Sequence, residues 1–101
     1  MKLIYLAHPY GGEDENIIKA LSWEAYLFAP NTHVLNAVYY FSTYKRIKEE
    51  HEIMKMCLDM VTRCDELWVA PGWEDSPGCK AEIAQATKYN MKIRYLTEGS
   101  R

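Results

Sequence analysis

The sequence has no apolar run that approaches the roughly 18–20 residues of a membrane-spanning helix, and this excludes an integral membrane protein of that kind. It also lacks a basic excess. Twelve Lys and Arg stand against 14 Asp and Glu, for a net charge of -2. That removes the charge basis for gripping a nucleic-acid backbone or a membrane surface. A single nucleotide is still allowed, because a helix N-terminus can hold one phosphate without lysines. Cysteine is scarce and odd in number: Cys57, Cys64 and Cys79, with no CxxC pair, offer neither a disulfide framework nor a zinc motif. Cys57 and Cys64 lie seven residues apart on one side of a helix. They read as small buried hydrophobes in a reducing compartment, which points to a cytoplasmic chain. GxGxxG is missing, so there is no dinucleotide fingerprint. The opening Met1–Ala7 has a basic residue and an apolar run, but His8-Pro9-Tyr10-Gly11-Gly12 stops it short of a signal-peptide core.

What is present is ordinary globular material. With 49% apolar and 26% charged residues the chain is neither disordered nor low-complexity. Its 101 residues make one domain, 1–101, with a core modest enough that self-association would add useful stability.

Apolar periodicity alternates along the chain. Leu3–Ala7, Thr32–Asn36, Glu66–Ala70 and Met91–Leu96 read as strands. The spacing predicts a helix over Glu13–Phe28, with Ile17, Leu21, Ala25 and Phe28 as its inward stripe. Ala29-Pro30-Asn31 ends that helix, since proline disfavours helix in the residue before it. A longer helix is expected over Arg46–Cys64, turning Ile53, Cys57, Met60, Val61 and Cys64 to one side. The last covers Ser76–Asn90. This β-α-β-α-β-α-β alternation predicts an α/β fold with helices on both faces of a parallel sheet. Right-handed crossovers favour the strand order 2-1-3-4, a small Rossmann-like (flavodoxin-like) three-layer architecture. Ligands bind such sheets outside the carboxyl ends of the strands, here at His8–Gly12 and Pro71–Gly78.

Those two segments carry the chemistry-bearing residues. Ser76-Pro77-Gly78 has the residue types of a helix start: serine as N-cap, proline at the first helical position, and glycine for close approach. It either caps a helix and nothing more, or presents free N–H groups to a phosphate or sugar hydroxyl. Glu82 follows in the second turn of the helix, among Cys79, Ala81, Ile83, Ala84 and Ala86. It is either a solvated helix glutamate or a partly desolvated carboxylate beside a ligand. Asp59, late in the preceding helix, is either a surface residue or a second carboxylate for acid–base work on a glycosidic bond. His8 is an acid, a donor to phosphate, or a loop residue; Gly11 and Gly12 permit a tight turn and a close backbone approach. Tyr39, Tyr40 and Tyr44, with Phe41, could stack on a base or line a subunit interface. Trp73 is either a lid over a ligand or a cap on the core.

Three stretches taken together resemble the nucleoside 2-deoxyribosyltransferase-like superfamily. They are Ile4-Tyr5-Leu6-Ala7 followed by a Gly-Gly turn, a helical aspartate before Cys64-Asp65 at a strand start, and Pro71-Gly72-Trp73-Glu74-Asp75-Ser76-Pro77-Gly78-Cys79-Lys80-Ala81-Glu82. The resemblance is nearest to its small bacterial and phage members, relatives of the 2'-deoxynucleoside 5'-phosphate N-glycosidases. It implies a small Rossmann-like fold that cleaves N-glycosidic bonds with no metal and no organic cofactor. It further implies Glu82 as nucleophile, Ser76 and Gly78 on the 5'-phosphate side, Asp59 assisting the leaving base, and Tyr5 orienting the nucleophile. Gly11 and Gly12 fall in the first substrate loop. His8 departs from the small residue usual there. A homodimer or higher homo-oligomer is implied as well.

Two functions follow as expectations. One is cleavage of the N-glycosidic bond of a (deoxy)nucleoside 5'-monophosphate, as hydrolase or deoxyribosyltransferase. The other is a non-catalytic nucleotide-binding module on the same fold.

Overall fold

The computed structural model describes residues 1–42 and 49–97. The chain runs β1 (Lys2–Ala7), α1 (Asp14–Tyr26), β2 (Thr32–Asn36), α2 (Ala37–Phe41), α3 (Glu50–Arg63), β3 (Glu66–Val69), a 3-10 turn (Trp73–Asp75), α4 (Pro77–Lys88) and β4 (Lys92–Tyr95). The four strands form one parallel sheet in the order β2-β1-β3-β4, as the alternation predicts. β1 is central, so Ile4, Tyr5, Leu6 and Ala7 are all buried, and the run is apolar on both faces as an internal parallel strand must be.

Strand alternation splits the core in two. Tyr5, Ala7, Leu67 and Val69 face one side, where they meet Cys57, Val61 and Cys64 of α3 and Cys79 and Ala86 of α4. Ile4, Leu6 and Val34 face the other, against Leu27 and the half-buried Trp23 at the end of α1. The result is three layers, with α1 on one face and α3 and α4 on the other. Among the described residues no helix is long and apolar enough to cross a membrane.

One expectation changes here. α1 buries Ala20 fully and turns Leu21, Ala25 and Phe28 outward, so the expected stripe is rotated off the core. The small Ala20 lets the helix approach the sheet closely, and Leu27, just past the helix, supplies the apolar bulk. The segment after β2 that carries Tyr39, Tyr40 and Phe41 is a short helix. Asn36 ends β2 and its side chain accepts from Tyr39 N–H at 3.1 Å, an N-cap that starts the short helix α2. The early part of the helix expected from Arg46, and Tyr44 with it, lie outside the described residues.

Candidate active site

α4 starts as its sequence dictates. The Ser76 hydroxyl accepts from the Cys79 N–H at 3.2 Å, and Pro77 occupies the first helical position, where no N–H is needed. Lys80 N–H reaches Ser76 O at 3.0 Å. Gly78 N–H is therefore the first-turn donor without a partner among the described residues. A Cβ built on Gly78 would meet only Met54 Sδ at 3.7 Å and Ser76 Oγ at 3.9 Å, which are ordinary contacts. Packing among the described residues does not require glycine there.

The same helix carries Glu82. Cys79, Glu82 and Ala86 form the buried stripe of α4, so the helix that packs on the sheet takes a carboxylate into the core with it. Opposite, on β1, the Tyr5 hydroxyl donates to Glu82 Oε2. Burial disfavours the charged form and pushes the Glu82 carboxyl up to about 7, while the Tyr5 hydrogen bond pulls the other way. Tyr5 itself is driven well above the usual phenol range, first by burial and then by the adjacent Glu82, so it remains a donor. Cys57 on α3 and Cys79 on α4 face the same carboxylate. Burial raises their thiols to about 11 and about 12, which keeps both protonated. The arrangement is a buried carboxylate poised between its two forms at neutral pH and held by a neutral phenolic donor. A nucleophile or a proton carrier needs these properties.

The two loops at the carboxyl edge of the sheet touch. Gly72 is left-handed (φ 92°), and a Cβ there would sit 3.5 Å from Pro9 Cγ. Gly11 and Gly12 are also left-handed and exposed, in the turn closed by Glu13 N–H to Tyr10 O at 3.1 Å. His8 is buried on the α1 side of β1, two residues past Leu6. Burial lowers its pKa, with a smaller push in the same direction from Lys19. Its Nδ1 lies 2.7 Å from the Pro9 carbonyl, which can only accept, so the neutral ring carries its proton on Nδ1. Nε2 is then an acceptor, suited to a hydroxyl or amino group of a ligand.

Tyr5, Glu82, Ser76 and Gly78 are thus brought together by β1 and α4. Asp59 is not. It is largely exposed on α3 and pairs with Arg63 Nε at 2.9 Å. It lies two residues beyond Cys57, which turns it to the far side of the helix, beside Glu52, Lys55 and Met56. On the opposite side of α3, Cys57 is buried in the core cluster that holds Tyr5. The spacing of Cys57 from Val61 and Cys64 predicts a core-facing position, and all three are buried in that cluster. Trp73 packs against the core on the α3–α4 side, with its ring 5.3 Å from that of Tyr95. Tyr39 is exposed on α2. Among the described residues no three His, Cys, Asp or Glu side chains are grouped to hold a metal ion.

The fold has a counterpart among solved structures, a 2-desoxiribosyltransferase from Leishmania mexicana. It superposes with a TM-score of 0.70 over 95% of this chain at 19% identity. The present chain spans 64% of that protein's length. The resemblance read from the sequence therefore holds at the level of fold. No curated protein matches the sequence. A family model matches residues 2–95, and on that match the chain belongs to the family described as Domain of unknown function (DUF4406).

Proposed function

We propose that this protein cleaves the N-glycosidic bond of a deoxynucleoside 5'-monophosphate, with Glu82 as nucleophile. The observation that carries this reading is the buried Glu82 carboxylate held by the Tyr5 hydroxyl, one turn beyond the open N-terminus of α4. The 5'-phosphate sits against Gly78 N–H and the positive end of the helix, with the Ser76 hydroxyl as a further donor. Glu82 attacks C1'. The C–N bond breaks, and its electron pair leaves with the base. The sugar is held as a glycosyl ester on Glu82. Water then attacks C1', the ester C–O bond breaks, Glu82 is restored, and deoxyribose 5-phosphate departs. A second base in place of water would make the same site a transferase. Tyr39 and Trp73 are the aromatic candidates for the base. Gly11 and Gly12 form the first loop over the sugar.

The reading predicts that free base appears by chromatography when the protein is incubated with deoxynucleoside monophosphates. Glu82→Gln should abolish release while nucleotide binding, measured by calorimetry, stays within about tenfold, because the carboxylate charge acts on the oxocarbenium-like transition state and not on the ground state. Loss of binding and turnover together would contradict the role.

One observation favours the second reading, a nucleotide-binding module without turnover: the carboxylate expected to help the base leave, Asp59, is on the opposite side of α3. That reading predicts micromolar binding that survives Glu82→Ala, with no base released by the wild type.

A further inference from the structure

We propose that Met54 is the sugar-facing wall of the Glu82 site and a specificity residue: its thioether lies against the sugar carbons and favours a 2'-deoxyribose over a ribose. The proposal rests on the reading of α4 as the seat of a nucleoside 5'-monophosphate. A Cβ built on Gly78 would lie 3.7 Å from Met54 Sδ, and among the described residues only Ser76 Oγ, at 3.9 Å, is also near it. Gly78 and Glu82 are four residues apart on α4, so they share one helix face, and side chains on that face lean back toward the helix N-terminus. Met54 itself packs, half-buried, on the core cluster that contains Cys79 and Tyr5, the donor to Glu82. Met54 therefore faces the strip of α4 that runs from the Gly78 N–H to the Glu82 carboxyl. Four residues of helix rise about 6 Å, close to the span of a sugar 5-phosphate. A ligand with its phosphate on Gly78 and C1' beside Glu82 lays its sugar along that strip. A thioether donates no hydrogen bond and accepts only weakly. A C2' methylene loses nothing against it, whereas a 2'-hydroxyl gives up its water and gains no partner. Methionine is also unbranched and adaptable, so it can withdraw to admit a sugar and close over it. That freedom reconciles a carboxylate only 6% exposed with a reaction on an incoming substrate.

The test is made in the Glu82→Gln protein, so that bound nucleotide is not consumed. Its methionines are labelled with carbon-13 at the ε-methyl, and the Met54 signal is assigned by its loss in Met54→Leu. Adding a deoxynucleoside monophosphate should shift that signal and give cross-peaks between the Met54 methyl and the sugar H2' protons. A residue that only packs α3 on α4 would show no such cross-peak. In calorimetry with matched deoxy- and ribonucleoside monophosphates, the deoxy form should bind roughly tenfold or more tighter. Met54→Gln, near in shape but polar, should bring the two within about twofold, and Met54→Leu should keep the preference. A bound nucleotide with no cross-peak to Met54 overturns the proposal, as does a preference equal with and without Met54→Gln. If Met54→Gln does not fold, the cross-peak decides, because it is read on Met54 itself. No binding of any nucleotide removes the proposed function and this proposal with it. Cross-peaks and a deoxy preference in a protein whose intact Glu82 form releases no base would retain Met54 as the sugar wall and remove the nucleophile reading, so the two failures are distinct.

Discussion

A carboxylate in a core is costly unless something answers its charge. Glu82 is answered by one phenolic hydroxyl, and its pKa settles near 7 instead of near 4.5. The folded state then holds a proton that the unfolded chain has already released between these two values. Stability therefore falls as pH rises from about 4.5 to about 7, and is flat above. The loss is of order 3 kcal/mol. Glu82→Gln removes this term, so it should unfold at higher denaturant than the wild type at pH 8 and no higher at pH 4. Chemical denaturation at the two pH values checks this. An active enzyme should show the same group as an acid limb in kcat/KM, with activity rising with pH through about 7.

The start of α4 serves a ligand only if the glycine at Gly78 is there for approach. The described residues around it leave room for a methyl group, and alanine is the better helix former by roughly 1 kcal/mol. Gly78→Ala should therefore leave the melting temperature unchanged or raised while weakening nucleotide affinity at least several-fold in calorimetry. A variant that binds as well as the wild type would mean that Ser76-Pro77 only caps the helix. On α1 the structure makes a contrasting prediction. Leu27→Ala should cost about 2–4 kcal/mol in denaturant unfolding, and Leu21→Ala under about 1, since Leu27 is buried and Leu21 is not. The sequence misled on that helix because apolar side chains lie nearly all round it, and period alone does not say which stripe the sheet takes. It served better on α4, where Ser76, Pro77 and the small residues beside Glu82 each had one local meaning. The burial of Glu82 was not legible in the same way. A lone glutamate on a helix looks the same in sequence whether it faces water or Tyr5, and the two lie 77 residues apart.

At the scale of the molecule, the strand order was the most legible feature, because alternating apolar runs and right-handed crossovers leave few ways to build a parallel sheet. That order puts β1 and β3 side by side and brings the loops after them into contact at Gly72 and Pro9. It also hangs α4 from the end of β3, so that a helix N-terminus and a buried carboxylate share one end of the sheet. Asp59 shows the limit of such reasoning: its position in the chain was right for a site residue, but helical rotation gave the inward place to Cys57. The proposed reaction forms a covalent bond between the Glu82 carboxylate and a sugar. The most direct measurement is to quench the protein with acid during its reaction with a deoxynucleoside monophosphate and map the peptides by mass spectrometry. Deoxyribose phosphate is expected on Glu82, with released base in solution. Base released while Glu82 remains unmodified from the first turnover onward would contradict it.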